Sequence, residues 1–424
     1  MEKPVEILAG PPDPATYGEA LALAAGRRLV LVVSGGVAAY KAAELARSLT
    51  RAGALVRTVL TKNAARFITP LTFEALTGQP AYVSQWAKSR REIEHVALAD
   101  WAEAVVVAPA TANILAKMAH GLADDLASTF LLTASARPLL AAPAMNSRML
   151  AAPATVANLK TLAGRGVEVI RPASGLLACG ESGPGRLAET ETIALCAARA
   201  LSPRAFQGRT LAVTAGTTWE KWDDVRYLAN RSSGLMGREL ALAAWLQGGR
   251  VTLVTGPAAL PAPDLPDLTS LTAESTRDLL TLLSNLEHDD LIMAAAPADF
   301  RPAAPVSGKI KKDQGPPGLD LAPNPDILKS LPRRPGGLRV GFAAEDADLL
   351  ERAKKKLKDK DLDLVAANAA GGPESAFATA ESRVTLIFRD GRVMDLGRRP
   401  KFAAAWAIVE AVASAAASLA VPGA

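Results

Sequence analysis

A cysteine set among glycines, in LACGESGPGRLAE (residues 177–189), is the first place in this chain where side-chain chemistry stands out. Cys179 follows a strand-like run and Pro172, and its glycine-rich segment reads as neither a helix nor a regular strand interior. It is either a buried bystander or a thiol held out on a loop to hand over a proton. The other cysteine, Cys196, sits in the apolar stretch IALCAARAL and reads as a small core residue. His95 heads the amphipathic pattern HVALADWAE, but a lone histidine is commonly a capping or surface residue. His120 before Gly121 reads as a helix C-terminus, and His288 beside Asp289 as solvated. Lys356 and Lys360 share one helix face, which by itself suits a solvated charged surface.

Three further clusters follow apolar runs and belong at strand ends. Ser34, Gly35 and Gly36 in SGGVAAYK can turn backbone N–H groups toward a phosphate, with the hydroxyls of Ser34 and Thr61 beside them. The same glycines serve equally well as a bare strand-to-helix turn. APATAN (108–113) and APAMNSRM (142–149) put Asn113 and Asn146 where open α/β sheets bind ligands, although Asn and Pro also simply start helices. A dinucleotide site would show G-x-G-x-x-G and an acidic residue after the second strand. Here that strand ends in Leu60-Thr61-Lys62, which weakens an NAD reading and suits a mononucleotide such as FMN.

The elements that must hold these residues occur twice. From Leu29, LVLVVSGGVAAYKAAELARSLTRAGALVRTVLT is strand, glycine turn, helix, glycine and strand. From Thr210, TLAVTAGTT, a polar insertion and SSGLMGRELALAAWLQGGRVTLVTG repeat the plan. Further strands are expected at 105–108, 139–142 and 167–170, then at 291–295, 338–343 and 364–367. A terminal hairpin in RVTLIFRDGRVMDL should turn at Asp390-Gly391. The expected fold class is α/β, with two tandem Rossmann-like (flavodoxin-like) three-layer domains and mainly parallel sheets. Residues 1–28 form an extension without assignment, 29–199 the first domain, 200–209 a linker and 210–424 the second domain.

Composition bounds these readings. With 424 residues, 49% of them hydrophobic, the chain can bury more than one core, since single cores stop growing near about 250 to 300 residues. No window offers the roughly 18 apolar residues of a membrane helix, and the start MEKPVEILAGPPDPATYGEA lacks the order of a signal peptide. A soluble, cytoplasmic protein is expected. Two cysteines are too few for a disulfide framework, and no Cys/His array suggests structural zinc. The net charge of +5, from 48 basic and 43 acidic residues, comes without a basic tail or an RNA-binding aromatic signature. Small phosphorylated substrates are therefore expected rather than nucleic acid.

Taken together, GGVAAYK, HVALADWAE, PATANILAKMAHGLADDL, APAMNSRM and ACGESGPGRLAE resemble the phosphopantothenoylcysteine decarboxylase half of the bacterial bifunctional enzymes of coenzyme A biosynthesis. TAGTTWEKWDDVRYLANRSSGLMG, AAAPADFRP, KIKK, NPDIL and KKLKDKDLDLVAAN resemble their phosphopantothenate–cysteine ligase half. The likeness runs from about Leu29 to Ala417. Three positions depart from the family pattern: Thr217 where a second glycine is usual, Asp224 where proline is common, and Pro323 where lysine is common.

The resemblance implies a chemistry for each half. Loss of CO2 from a cysteine carboxylate leaves a carbanion that needs an electron sink, and in this family FMN-dependent oxidation of the cysteinyl thiol to a thioaldehyde creates one. By resemblance, His95 is the base or orienting group and Asn146 holds the carboxylate. Cys179, carried on a lid, protonates the enethiolate carbon. Ser34, Gly35, Gly36, Thr61, Thr111 and Asn113 are the implied flavin contacts. In the ligase half CTP would activate 4'-phosphopantothenate as an acyl-cytidylate, Mg2+ would screen the triphosphate, and the amine of cysteine would attack.

Arg226, Asn230 and Lys309 carry the implied ligase catalysis, with Ser232, Ser233 and Gly234 supplying a helix start. Nucleotide contacts are implied at Ala295, Asp299, Lys309, Asn324, Pro325, Asp326, Ile327, Phe342, Lys356 and Lys360; the metal ligands are left unassigned. The implied partners are 4'-phosphopantothenate, cysteine and CTP, with neither nucleic acid nor membrane. A homo-oligomer is implied, a dodecamer through the decarboxylase domain and dimers through the ligase domain. The alternatives are an NAD-dependent oxidoreductase, which would need the missing ribose carboxylate, and a non-catalytic FMN-binding regulatory protein, which would need neither His95 with Cys179 nor a complete second domain.

Overall fold

A computed structural model of the chain describes residues 14–86, 93–178, 180–260, 262–311, 318–345, 348–369 and 381–420. Its contacts divide the chain into two compact units, Asp13–Ser202 and Pro203–Ala424.

In the first unit, β1 (Arg28–Val33), β2 (Leu55–Leu60), β3 (Ala81–Tyr82), β4 (Ala104–Ala110), β5 (Leu139–Pro143) and β6 (Glu168–Val169) form one parallel sheet in the order 3-2-1-4-5-6. Val30 pairs with Arg57 on one side and with Val105 on the other. Every residue of β4 and all but the first of β1 are buried, as expected of strands covered on both faces. The helices are α1 (Pro14–Leu21), α2 (Lys41–Arg51), α3 (Pro70–Thr77), α4 (Glu94–Trp101), α5 (Ala112–His120), α6 (Leu126–Thr133), α7 (Ser147–Ala151), α8 (Pro153–Gly164) and α9 (Thr190–Leu201). Val105, Val107, Leu115, Phe130 and Ala141 belong to the core on one face of the sheet.

Local signals account for the helix ends. Gly121 takes the left-handed conformation (φ 68°) that stops α5 after His120, and Asp125 with Ser128 makes a capping box on α6. Part of the segment without assignment is folded, since α1 packs against α9. Cys196 is buried in α9.

One expectation fails. The sequence CGESGPG reads as irregular, yet β8 (Ser182–Arg186) pairs antiparallel with β7 (Ala173–Leu176). Glycine makes the hairpin possible: Gly175 and Gly185 sit at φ 152° and 124°, and the register shifts between Ala173 and Ser174.

The second unit repeats the plan with β9 (Thr210–Ala215), a short hairpin β10 (Glu220–Lys221) and β11 (Tyr227–Leu228), then β12 (Arg250–Thr255), β13 (Leu268–Thr272) and β14 (Asp290–Met293). After them come β15 (Phe300–Pro302), β16 (Leu321–Pro323), β17 (Arg339–Glu345), β18 (Leu364–Ala369), β19 (Glu381–Phe388) and β20 (Val393–Pro400). The large sheet runs β13-β12-β9-β14-β17-β18-β19-β20, parallel up to β18 and antiparallel beyond it. The terminal hairpin turns through Asp390 and Gly391 (φ 89°) as the sequence implies. The helices are α10 (Leu235–Leu246), α11 (Thr276–Asn285), α12 (Ile327–Ser330), α13 (Leu349–Asp359) and α14 (Lys401–Ala420). Among the described residues, no helix is long and apolar enough to cross a membrane.

Candidate active sites

Strand order reverses between β1 and β4 in the first sheet and between β9 and β14 in the second. Loops leaving the carboxyl ends of such neighbours diverge to opposite faces and open a crevice between them.

In the first crevice the SGG turn meets the loop after β4. The Ser34 hydroxyl donates to the Pro109 carbonyl (2.7 Å) and accepts from the backbone N–H of Thr111 (3.0 Å). Ser34 is 1% exposed, so its hydroxyl ties the two loops together instead of facing a ligand. Gly35 is required for a similar reason, because a Cβ there would lie 2.4 Å from Cβ of Asn63. At Gly36 the chain enters a helical turn, Val37–Tyr40, that runs into α2 without a side-chain cap, which leaves backbone N–H groups for an anion. Thr61 turns its hydroxyl to the N–H of Ala64 (3.1 Å). Thr111 and Asn113 begin α5, with Asn113 exposed.

His95 is half-buried in the first turn of α4. A helix that precedes a parallel strand starts at the edge where the strands end, so His95 belongs to the crevice side of the sheet. Asn146 caps α7, its Oδ1 accepting the N–H of Arg148 (2.8 Å) while Nδ2 faces Glu181 Oε2 at 3.4 Å.

The β7–β8 hairpin docks on this Asn146 loop. Met145 donates its N–H to the Gly185 carbonyl (3.0 Å), the Ser147 hydroxyl donates to the Pro184 carbonyl (2.7 Å), and Arg148 pairs with Glu181 (2.6 Å). The hairpin turn closes with Leu177 N–H on the Glu181 carbonyl (2.8 Å). Cys179 belongs to that turn by sequence and itself lies outside the described residues.

The second crevice is a cleft of about 810 Å³. Nine of the ten implied nucleotide contacts line it, Ala295, Asp299, Asn324, Pro325, Asp326, Ile327, Phe342, Lys356 and Lys360, and so do Asn230, Ser232, Ser233 and Gly234. Asn324 holds one rim, its Nδ2 donating to the Ala298 carbonyl (2.9 Å) and its N–H to the Asp299 carbonyl (2.8 Å). Asp326 caps α12 and pairs with Lys360 (3.3 Å), and Lys356 donates to the Phe342 carbonyl (2.5 Å). Asn230 anchors the opposite loop through Nδ2 to the Pro297 carbonyl (3.0 Å).

Thr217, the departure from glycine, is buried. Its hydroxyl donates to the Ala296 carbonyl (3.2 Å) and accepts the N–H of Asn230 (3.1 Å). The added side chain therefore points into the fold and fixes Asn230. Gly237, which the sequence reading did not single out, lets α10 press on β9, since a Cβ there would sit 2.5 Å from the Thr214 carbonyl oxygen.

Lys309 is not brought into this lining. It is exposed, on the segment after β15, and that segment is held by the turn of the β10–β11 hairpin. Gly308 donates its N–H to Asp224 (2.7 Å) and Ile310 donates its own to Asp223 (3.1 Å). Arg226 stands outside the cleft as well, paired with Asp223 (2.9 Å) and donating to the Ile310 carbonyl (3.4 Å). Burial opposes the charge on Asp223, but N–H groups of Val225, Ile310 and Arg226 outweigh it and hold the carboxyl below its usual range. Asp224, where the family commonly has proline, also pairs with Lys221 (2.6 Å).

Two more sequence readings need correction or completion. His288 is half-buried, with Nδ1 at 2.8 Å from the Leu286 carbonyl, and burial pushes its pKa down. Lys401 and Asn368 line the cleft without having been singled out, because each follows a run that reads only as strand. Among the described residues, no group of three His, Cys, Asp or Glu side chains is placed to hold a metal ion.

Two family profiles match the chain: Flavoprotein over residues 19–202, and DNA/pantothenate metabolism flavoprotein C-terminal domain over residues 206–416. The chain is 40% identical over 377 residues to the coenzyme A biosynthesis bifunctional protein CoaBC of Vibrio vulnificus strain CMCP6, covering 87% of this chain and 92% of that protein. It is 39% identical over 396 residues to CoaBC of Bacillus subtilis strain 168, covering 92% and 97%. Among solved structures, the FMN binding protein AtHal3 is 34% identical with a TM-score of 0.36, covering 40% of this chain and 94% of that one. The curated likeness extends across both units, and the chain belongs to the CoaBC family of bifunctional coenzyme A biosynthesis proteins, in which a phosphopantothenoylcysteine decarboxylase is joined to a phosphopantothenate–cysteine ligase.

Proposed function

We propose that the β9/β14 cleft joins 4'-phosphopantothenate to cysteine at the expense of CTP, through an acyl-cytidylate, and that the β1/β4 crevice binds FMN and decarboxylates the product to 4'-phosphopantetheine. The observation that carries this reading is the gathering, in one cleft, of nine residues drawn from four separate segments of the second unit.

The first crevice suits a flavin mononucleotide. It offers the uncapped N–H groups after Gly36, with Thr111 and Asn113 opposite, and Thr61-Lys62 at the end of β2 supplies no carboxylate for the ribose of an NAD. When bound there, FMN would supply a reversible two-electron acceptor for the cysteinyl thiol. His95 would orient the substrate cysteine and take its proton. Asn146, with Nδ2 open to exchange Glu181 for a substrate carboxylate, would hold the group that leaves as CO2. Cys179, on the turn that the Asn146 loop anchors, would return the proton to the enethiolate carbon.

In the ligase cleft a carboxylate must become an electrophile, and the charge that builds on the triphosphate needs cationic partners. Lys356 on α13 and Lys360 just past its end would serve that role from inside the cleft. Lys309 acts from outside, when the segment held by Asp223 and Asp224 reaches over the mouth. Mg2+ would arrive with CTP and take few protein ligands, as it does on phosphates, with Asp299 the carboxylate of the lining not paired to a lysine. Asn230, fixed by Thr217, would position the acyl group for the amine. A homo-oligomer, dodecameric through the first unit and dimeric through the second, completes the reading.

Denaturing the purified chain and identifying the released chromophore tests the first half; FMN is expected, and no flavin or a dinucleotide would contradict it. Pyrophosphate release from CTP compared with ATP tests the second half, and equal use of both would remove the cytidine claim.

A further inference from the structure

Lys401 carries a charge that the reaction steps above do not use. It opens α14 directly after β20, on elements that lie beyond the parallel part of the sheet. The residue is only 6% exposed, yet it lines the ligase cleft. Among the described residues its ammonium makes no direct hydrogen bond or ion pair. Burial holds its pKa below the usual lysine range, an effect that the negative charge of Glu239, itself 1% exposed on α10, offsets only in part.

An ammonium taken out of water is costly unless an anion meets it. Glu239 supplies charge without direct contact, which leaves the three N–H donors of Lys401 for something entering the cleft. The neighbouring lining is suited to the same kind of group. The twelve-residue helix α10 begins at Gly234, also in the lining, without a side-chain cap, and the Asn368 amide lines the same cleft. Of the two carboxylates in the lining, Asp326 is engaged by Lys360.

We propose that Lys401 is a phosphoryl-binding residue of the ligase cleft, with Glu239 as the buried counter-charge that keeps it ready. The proposal rests on the ligase reading of the second unit. The phosphoryl group can belong to the nucleotide or to 4'-phosphopantothenate, since both carry the same chemistry into one cleft.

The test uses the full chain and inorganic pyrophosphate as the probe in titration calorimetry, followed by initial-rate ligation with each substrate varied. Lys401→Met should weaken pyrophosphate binding roughly 10-fold or more, the scale of losing a charged hydrogen bond, and Lys401→Arg should recover most of it. A raised KM for CTP alone places the nucleotide at Lys401; a raised KM for 4'-phosphopantothenate alone places that phosphate there. Because Lys401→Met removes a positive charge acting on the buried Glu239 and can destabilise the fold, a second variant, Lys401→Met with Glu239→Gln, removes both charges. If this double variant binds pyrophosphate as tightly as the unaltered chain, Lys401 is only a structural partner of Glu239 and the proposal falls. It falls equally if the unaltered chain binds no pyrophosphate. An unaltered chain that binds pyrophosphate but forms no amide from CTP would instead overturn the ligase reading, and the calorimetry would still decide the role of Lys401.

Discussion

Gly185→Ala should uncouple the two activities by lifting the β7–β8 hairpin off the Asn146 loop. Gly185 sits at φ 124°, where an L side chain is strained, and the new Cβ would lie 2.2 Å from the Met145 carbonyl oxygen. A disfavoured backbone costs about 1–3 kcal/mol, and loss of the Met145–Gly185 hydrogen bond adds about 1 kcal/mol. The sum, about 2–4 kcal/mol, lowers the ratio of docked to undocked hairpin roughly 30- to 900-fold. CO2 release from supplied phosphopantothenoylcysteine should then fall at least about 10-fold, whereas amide formation in the second unit should hold its rate. Gly164→Ala, at the end of α8 with nothing within 4 Å of the new Cβ, is the matched control and should change neither rate. A folded Gly185→Ala variant that releases CO2 normally would refute the idea that the hairpin must dock on the Asn146 loop for decarboxylation.

Further outcomes follow from the same geometry. His95→Asn should block decarboxylation from its first step, while Cys179→Ser should let CO2 leave and stall with reduced flavin and an oxidised enethiol product, as stopped-flow absorbance would show; normal CO2 release from both would end the division of roles. Lys309→Gln should slow pyrophosphate release even without cysteine, and Asn230→Asp should slow the attack by cysteine more than activation, both read by assaying the two half-reactions separately. The folded pKa of Asp223 lies below its unfolded value of about 3.9. Its hold on the Lys309 segment is thus fully present above about pH 4 and is lost as the pH falls through the lower folded value. Hydrogen exchange at Ile310, whose N–H Asp223 accepts, corrected for intrinsic rates, should show that loss in the parent chain and not in Asp223→Asn, where protection should already be low at neutral pH.

Much of this arrangement was legible in the residues. Continuous apolar runs such as those of β1 and β9, each ending in a glycine turn, announce strands covered on both faces, and a loop after such a strand must lie at the carboxyl edge. The loops of Asn113, Asn146 and Asn230 are therefore expected at that edge from the sequence alone. What stayed hidden depends on contacts between distant segments. The pairing of β7 with β8 rests on positive-φ glycines that sequence reads only as irregularity. The inward turn of the Ser34 hydroxyl depends on Pro109, 75 residues away. In the sequence Asp224 is only a departure from the family's common proline, and its role as a clasp exists only because Gly308 folds back onto it. Lys401 ends the basic run RRPK, and nothing local distinguishes it from the exposed Arg398.

The most direct test feeds the purified full chain 4'-phosphopantothenate, CTP and cysteine labelled with carbon-13 in its carboxyl group, and follows products by mass spectrometry. One labelled CO2, one CMP and one pyrophosphate are expected for each 4'-phosphopantetheine formed. Labelled amide that accumulates without CO2, or 4'-phosphopantetheine formed without CMP, would contradict the assignment of the two crevices.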